Sequence, residues 1–213
     1  MMQLKDKLIT NDWISADWDT YIQAIESPDR EKDRGYYYNG HMRIEDMPTG
    51  PDHSRYQSVM LFAINLYCTI KGIDFNGLDN CSYRKVGVRE CQPDLSYYIQ
   101  DRAGLAPIGT SVVNSDEQSP PDLVIEISNT TLSDDLGKKR LLYEEIGASE
   151  YWVVDVQGNE VIAFQISDRG SKRIDTSIVL PQLSISLVSE ALKRSREVSQ
   201  FQIGQWLMTE FQK

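Results

Sequence analysis

The sequence predicts a single α/β domain in which helices pack on a parallel or mixed β-sheet, and three observations predict it. Residues 121–155, PDLVIEISNTTLSDDLGKKRLLYEEIGASEYWVVD, read as strand, loop, helix and strand in succession, and a crossover of this length joins strands of a parallel or mixed sheet. The dipeptides Asn39-Gly40 and Gly158-Asn159 sit between β-like runs and mark tight turns between antiparallel partners. With 213 residues the chain can bury a sizeable core, and no shift in composition divides it into independent domains.

Within the central block, residues 122–128 alternate strictly. Leu123, Ile125 and Ile127 face one side of a strand, and Asp122, Val124, Glu126 and Ser128 face the other. Neighbouring positions on one face lie about 7 Å apart. That suits carboxylates converging on an ion and leaves them repelling one another without it, so a divalent cation would resolve the repulsion. The helix that follows starts with Ser133 or Asp134 as N-cap and closes at Gly147 as the C′ residue, a span of about three turns. Leu136, Lys139, Tyr143 and Ile146 share its inner face, while Lys138, Arg140, Glu144 and Glu145 fall on the outer ones. Lys139 therefore stands in the middle of an apolar stripe. Either it snorkels past that surface to water or it reaches a group that needs its charge. Residues 151–156 form the next strand and residues 161–166 its hairpin partner.

Ahead of this block, residues 1–26 give a polar start and then a helix over 16–26, whose Trp18, Tyr21, Ile22 and Ile25 form a core-facing stripe. With the charged loop 27–35 this makes a peripheral element, 1–35. Residues 36–38 and 42–44 flank the Asn39-Gly40 turn. Residues 47–52, with two prolines and a glycine, read as an ordered loop leading to His53 at the start of a long helix that ends near residue 71. His53 has two readings, a hydrogen bond to a loop carbonyl or a chemical role; the first is the simpler, since one histidine is not a constellation. Short β pieces fill 72–88, and CQPDLSYYI over 91–99 supplies a second Pro-Asp in which Asp94 begins a strand. Residues 102–120, rich in Gly, Ser, Pro and Asn, form a long connection that makes this strand a neighbour of the next and brings Asp94 towards Asp122 and Glu126. Beyond Asp155 come a hairpin, a basic turn at 168–173, a strand near 174–180, and helices at about 187–196 and 199–208 that form the closing segment, 187–213.

The formal charge is −10, from 32 acidic and 22 basic residues. This disfavours tight non-specific attachment to nucleic acid, although a local basic patch or a bound divalent metal opposes such a field. The longest apolar stretch, 59–68, is broken by Asn65 and too short to span a bilayer, so no membrane partner and a cytoplasmic location are expected. Cys68, Cys81 and Cys91 lack CxxC spacing and only two histidines accompany them, which supports neither a disulfide framework nor a structural zinc site.

The motifs PDLVIEIS, then D-L-G-x-K-R-x-L-Y from Asp135 to Tyr143, then G-x-x-E-Y-W-x-V-D from Gly147 to Asp155, resemble the Uma-two family of putative restriction endonucleases, abundant in cyanobacteria and placed in the PD-(D/E)xK nuclease superfamily. The resemblance extends to YYYNGHMRIEDMPTGPDHS, where Gly40 and His53 fall on familiar positions, and to SYRKVGVRECQPDLSYY. It implies a restriction endonuclease-like mixed β-sheet flanked by helices, Mg²⁺ or Mn²⁺ held by acidic residues, and hydrolysis of DNA phosphodiester bonds. Carried onto this chain, it makes Asp94, Asp122 and Glu126 metal-ligand and catalytic candidates and Lys139 an electrostatic catalyst. Either aspartate can be the superfamily's catalytic one; placement relative to Glu126 favours Asp94, and Asp122 has a structural alternative as a loop-bonding residue beside a proline. Two positions depart from the pattern. Ser128 stands where the superfamily has its lysine, two residues after the glutamate, and Lys139 is its natural substitute. Tyr36 stands where many relatives carry an acidic residue; either Glu45 compensates for it or one acidic group is missing. A catalytically degenerate member, serving as a DNA-associated or protein-interaction module, is the alternative function, and a purely structural Lys139–Glu126 ion pair is the third reading. Cutting both strands favours a homodimer.

Overall fold

The structure is a computed structural model that describes residues 11–46 and 50–213. The polar start at 1–10, and 47–49 of the expected loop, lie outside the described residues. In chain order the elements are β1 (Ile14–Ser15), α1 (Trp18–Ile25), β2 (Arg34–Tyr38), β3 (His41–Glu45), α2 (Pro51–Lys71), β4 (Phe75–Asp79), β5 (Tyr83–Lys85), β6 (Arg89–Cys91), β7 (Leu95–Ile99), β8 (Val113–Asn114), β9 (Leu123–Ser128), α3 (Leu132–Asp135), α4 (Lys138–Ile146), β10 (Glu150–Asp155), β11 (Glu160–Ser167), β12 (Gly170–Ile174), α5 (Ile185–Arg194) and α6 (Gln200–Phe211). They fall into two compact units, each with its own sheet.

The smaller unit takes the described residues of Met1–Thr49 together with Cys81–Gln92 and Gly109–Gln118. Its sheet runs β1-β3-β2-β6-β5-β8, antiparallel except for the parallel β5–β8 pair. The Asn39-Gly40 turn has both residues left-handed, φ 48° and 70°, as a two-residue hairpin turn requires. Asp17 caps α1 by accepting from the Thr20 N–H at 2.8 Å. Tyr21 and Ala24 then pack with Tyr37, Met42 and Ile44, joined by Trp18, Ile22 and Ile25, so the stripe expected of this helix is core.

The larger unit comprises Gly50–Asn80, Pro93–Ile108 and Ser119–Lys213. Its mixed sheet runs β12-β11-β10-β9-β7-β4, with β9 and β10 parallel and the other neighbours antiparallel. The connection over 102–120 is not featureless: it carries a short 3₁₀ helix, Gln100–Leu105, and β8. It still returns β9 beside β7, with Leu95 opposite Ile125. Leu123, Ile125 and Ile127 join Trp152, Val154 and residues of α2, α5 and α6 in one apolar cluster. Ser199 caps α6 through a capping box with Gln202. Among the described residues no helix is long and apolar enough to cross a membrane. The cysteines are free, and burial pushes the Cys68 thiol up to about 12.

Three local expectations are corrected. The helix anticipated from Ser133 or Asp134 to Gly147 is two helices, because the chain turns so tightly at Gly137 that a Cβ there would lie 2.7 Å from the Ser133 carbonyl oxygen. The strand expected near 174–180 ends at Ile174. The backbone N–H groups of Ile178 and Val179 donate to the Glu150 carboxylate instead of to a sheet neighbour. Glu144, placed on an outer helix face, is buried, with the Ser171 hydroxyl donating to it.

Candidate active site

The β9–α3–α4–β10 crossover carries the densest set of buried ionisable groups. On β9, Glu126 is 2% exposed. On α4, Lys139 is equally buried, and its Nζ stands 3.8 Å from Glu126 Oε1 and 3.1 Å from Asp135 Oδ1 at the end of α3. The lysine does not snorkel to water. It runs inward to two carboxylates, and its place on the apolar helix face follows from that.

The carboxylates are fixed in turn. Tyr143, one turn beyond Lys139, donates its phenol to Glu126 Oε1 at 2.6 Å. The Thr131 hydroxyl donates to Asp135 Oδ2 at 2.5 Å, and the Tyr151 phenol donates to the Asp135 main-chain carbonyl at 3.0 Å. The rings of Tyr143 and Tyr151 stack with centroids 4.8 Å apart. Ser128 Oγ lies 3.4 Å from Thr131 Oγ1, the hydroxyl that holds Asp135.

Asp94 immediately precedes β7. The Leu95–Ile125 pairing, extended by one residue, sets it opposite Glu126. Asp94 Oδ2 accepts from the Ile127 N–H at 2.6 Å, and Oδ1 lies 3.3 Å from Nε2 of His53 in the first turn of α2. The His53 Nδ1 is buried without a hydrogen-bond partner among the described residues. The histidine thus meets a carboxylate, not a loop carbonyl.

Asp122 is held apart from these groups. Its Oδ2 accepts from the Ile99 N–H at 2.8 Å, and its Oδ1 is 2.8 Å from Arg102 Nε. Four residues separate it from Glu126, about 13 Å along an extended strand. Burial raises its pKa above the ordinary carboxylate value, against the lowering effects of the Ile99 N–H and Arg102.

Tyr36 and Glu45 belong to the smaller unit. Tyr36 is fully buried and donates its phenol to the Gln92 carbonyl at 2.9 Å; Glu45 is 2.7 Å from Arg43 Nε.

Asp135 and Tyr143 escaped the sequence reading as site residues. The signal for Tyr143 was present, since it shares the helix face of Lys139. Asp135 was masked by the assumption of one unbroken helix.

Chemically, the cluster offers hard oxygen donors with a buried ammonium beside them. Among the described residues no three His, Cys, Asp or Glu side chains form a ready-made metal cage. The donor set suits an ion of the Mg²⁺ type, which takes one or two protein carboxylates and completes its shell with water and phosphate.

The sequence profile of the Uma2 family, described as "Putative restriction endonuclease", matches residues 18–199. The fold is similar to that of a crystal structure of a putative nuclease belonging to DUF820 from Anabaena variabilis. The TM-score is 0.54 at 20% sequence identity, over 74% of this chain and 90% of that one. No curated protein matches the chain.

Proposed function

The chain belongs to the Uma2 family of putative restriction endonucleases, and from that premise we propose that it is a Mg²⁺- or Mn²⁺-dependent endonuclease hydrolysing DNA phosphodiester bonds. One observation carries the reading. Lys139 brings a buried ammonium from α4 to within 3.8 Å of Glu126, supplying the positive charge that Ser128 lacks.

In this reading Glu126 and Asp94 would hold the divalent ion. When bound, it polarises a phosphoryl oxygen and lowers the pKa of a coordinated water. Lys139 faces charge developing on the phosphorus oxygens from a site where little water screens it. Tyr143 fixes the Glu126 carboxylate, and the Ile127 N–H with His53 fixes that of Asp94. Asp122 ties β9 to Ile99 and Arg102 and takes no part in the chemistry. Two copies related by a twofold axis would present one site to each DNA strand; a monomer by light scattering at micromolar concentration overturns that part.

A second reading has its own support. Both Asp94 oxygens carry partners, and Lys139 pairs directly with Glu126 and Asp135, as a non-cleaving module would allow. Calorimetric titration of Mn²⁺ into the wild type and into Glu126→Gln separates the two. Binding that collapses in the variant, with DNA cleavage lost in Lys139→Ala, supports the endonuclease. No binding with or without a DNA duplex present supports the module.

A further inference from the structure

Resting on that reading, we propose that Asp135 is the positioning residue for Lys139, fixing where the catalytic ammonium stands relative to Glu126. Lysine is a flexible stem with a point charge at its end, and its position is set by whatever holds the ammonium. Asp135 stands closer to this ammonium than Glu126 does, at 3.1 Å against 3.8 Å. Both Asp135 and Lys139 are buried, 1% and 2% exposed, so solvent is a poor substitute for either partner.

Asp135 is itself immobilised at both its side chain and its main chain. Thr131 donates to Oδ2, and Tyr151 donates to the carbonyl. Tyr151 stacks on Tyr143, and Tyr143 donates to Glu126. The contacts close a ring: Asp135, Lys139, Glu126, Tyr143, Tyr151 and back to Asp135. The break at Gly137 puts Asp135 at the end of one helix and Lys139 at the start of the next, so this pair, four residues apart, spans a rigid corner instead of lying on one continuous helix. Asp135 lies off the sheet and acts through Lys139, not as a third ligand beside Glu126.

The test is a double-mutant cycle on the full chain with Asp135→Asn, Lys139→Met and the pair combined. Three quantities are read: steady-state cleavage of supercoiled plasmid with Mn²⁺, Mn²⁺ affinity by calorimetry, and thermal unfolding. Displacing a catalytic group by about 1 Å costs ~10²-fold in rate. Asp135→Asn is therefore expected to lower kcat by that order with KM and Mn²⁺ affinity little changed, and the double variant to fall no further than Lys139→Met alone. A multiplicative loss in the double variant, unchanged kcat in Asp135→Asn, or abolished Mn²⁺ binding in Asp135→Asn each overturns the proposal. If the wild type neither binds Mn²⁺ nor cleaves, the endonuclease reading fails by itself, and unfolding decides the clamp. A double variant more stable than Asp135→Asn then supports it, and additive losses refute it.

Discussion

Two adjacent strands of the larger sheet each bury a glutamate, and the two are solved differently. Glu150 on β10 is fully buried and surrounded by neutral donors. Trp152 Nε1 donates at 2.8 Å, the Ser177 hydroxyl at 3.0 and 3.1 Å, and the Val179 N–H at 3.0 Å, with the Ile178 N–H beside it. Glu126 on β9 has a phenol and an ammonium that it shares with Asp135. Burial alone therefore does not separate a carboxylate that braces the fold from one proposed to hold a metal ion. The kind of donor does. Peptide and indole N–H groups fixed by the fold hold Glu150 in one state and knit residues 177–179 to the sheet. A lysine shared between two carboxylates leaves charge that an incoming cation or phosphate can redistribute.

The contrast predicts the largest effect at Glu150. Truncation to Ala strands several buried donors, each worth about 1–3 kcal/mol. Urea denaturation is therefore expected to show a loss on the order of 6 kcal/mol, while Mn²⁺ affinity of the folded fraction stays as in the wild type. Altered affinity with stability intact would erase the distinction. Lys139→Met comes next. It leaves Glu126 and Asp135 facing each other unneutralised and is expected to cost roughly 3–5 kcal/mol, with Mn²⁺ restoring part of the loss in scanning calorimetry. A loss insensitive to Mn²⁺ would place this cluster in the same class as Glu150. Tyr143→Phe removes one hydrogen bond to a charged group, about 2 kcal/mol, and is expected to loosen Mn²⁺ binding as well.

Asp122 gives the smallest effect and a sign of its own. Burial holds its carboxyl above the ordinary 3.8, so the folded chain binds this proton more tightly than the unfolded chain does. Its contribution is present in acid and is lost as pH rises through the folded-state pKa. The melting temperature of Asp122→Asn should accordingly gain on the wild type as pH rises from below 3.8. A gap that is constant with pH would remove Asp122 from the linkage.

Much of this architecture was legible because alternation and turn chemistry are local. The strict period of β9 and the left-handed Asn39-Gly40 turn each follow from a few neighbouring residues. The inward lysine was legible too, as a charge on an apolar face. Features that depend on distant partners were not. Nothing near Ile178 says that its N–H will serve Glu150, 28 residues earlier in the chain, and nothing near His53 says that it will meet Asp94. Gly137 could be read as a tolerated glycine inside a helix, since only the folded chain shows the Ser133 carbonyl closing on it. The division into two units was equally hidden, because each is stitched from three separate stretches of sequence.

The ring around Lys139 is also compact in sequence, running from Glu126 to Tyr151, and that has a consequence for synthesis. On the ribosome, every member of the ring has been made once Tyr151 is added, although the apolar cluster that β9 and β10 join still lacks α5 and α6. Glu150 must wait for residues 177–179, a matter of seconds at ~5–20 residues per second. Of the two glutamates, the structural one is therefore the last to have all its partners synthesised.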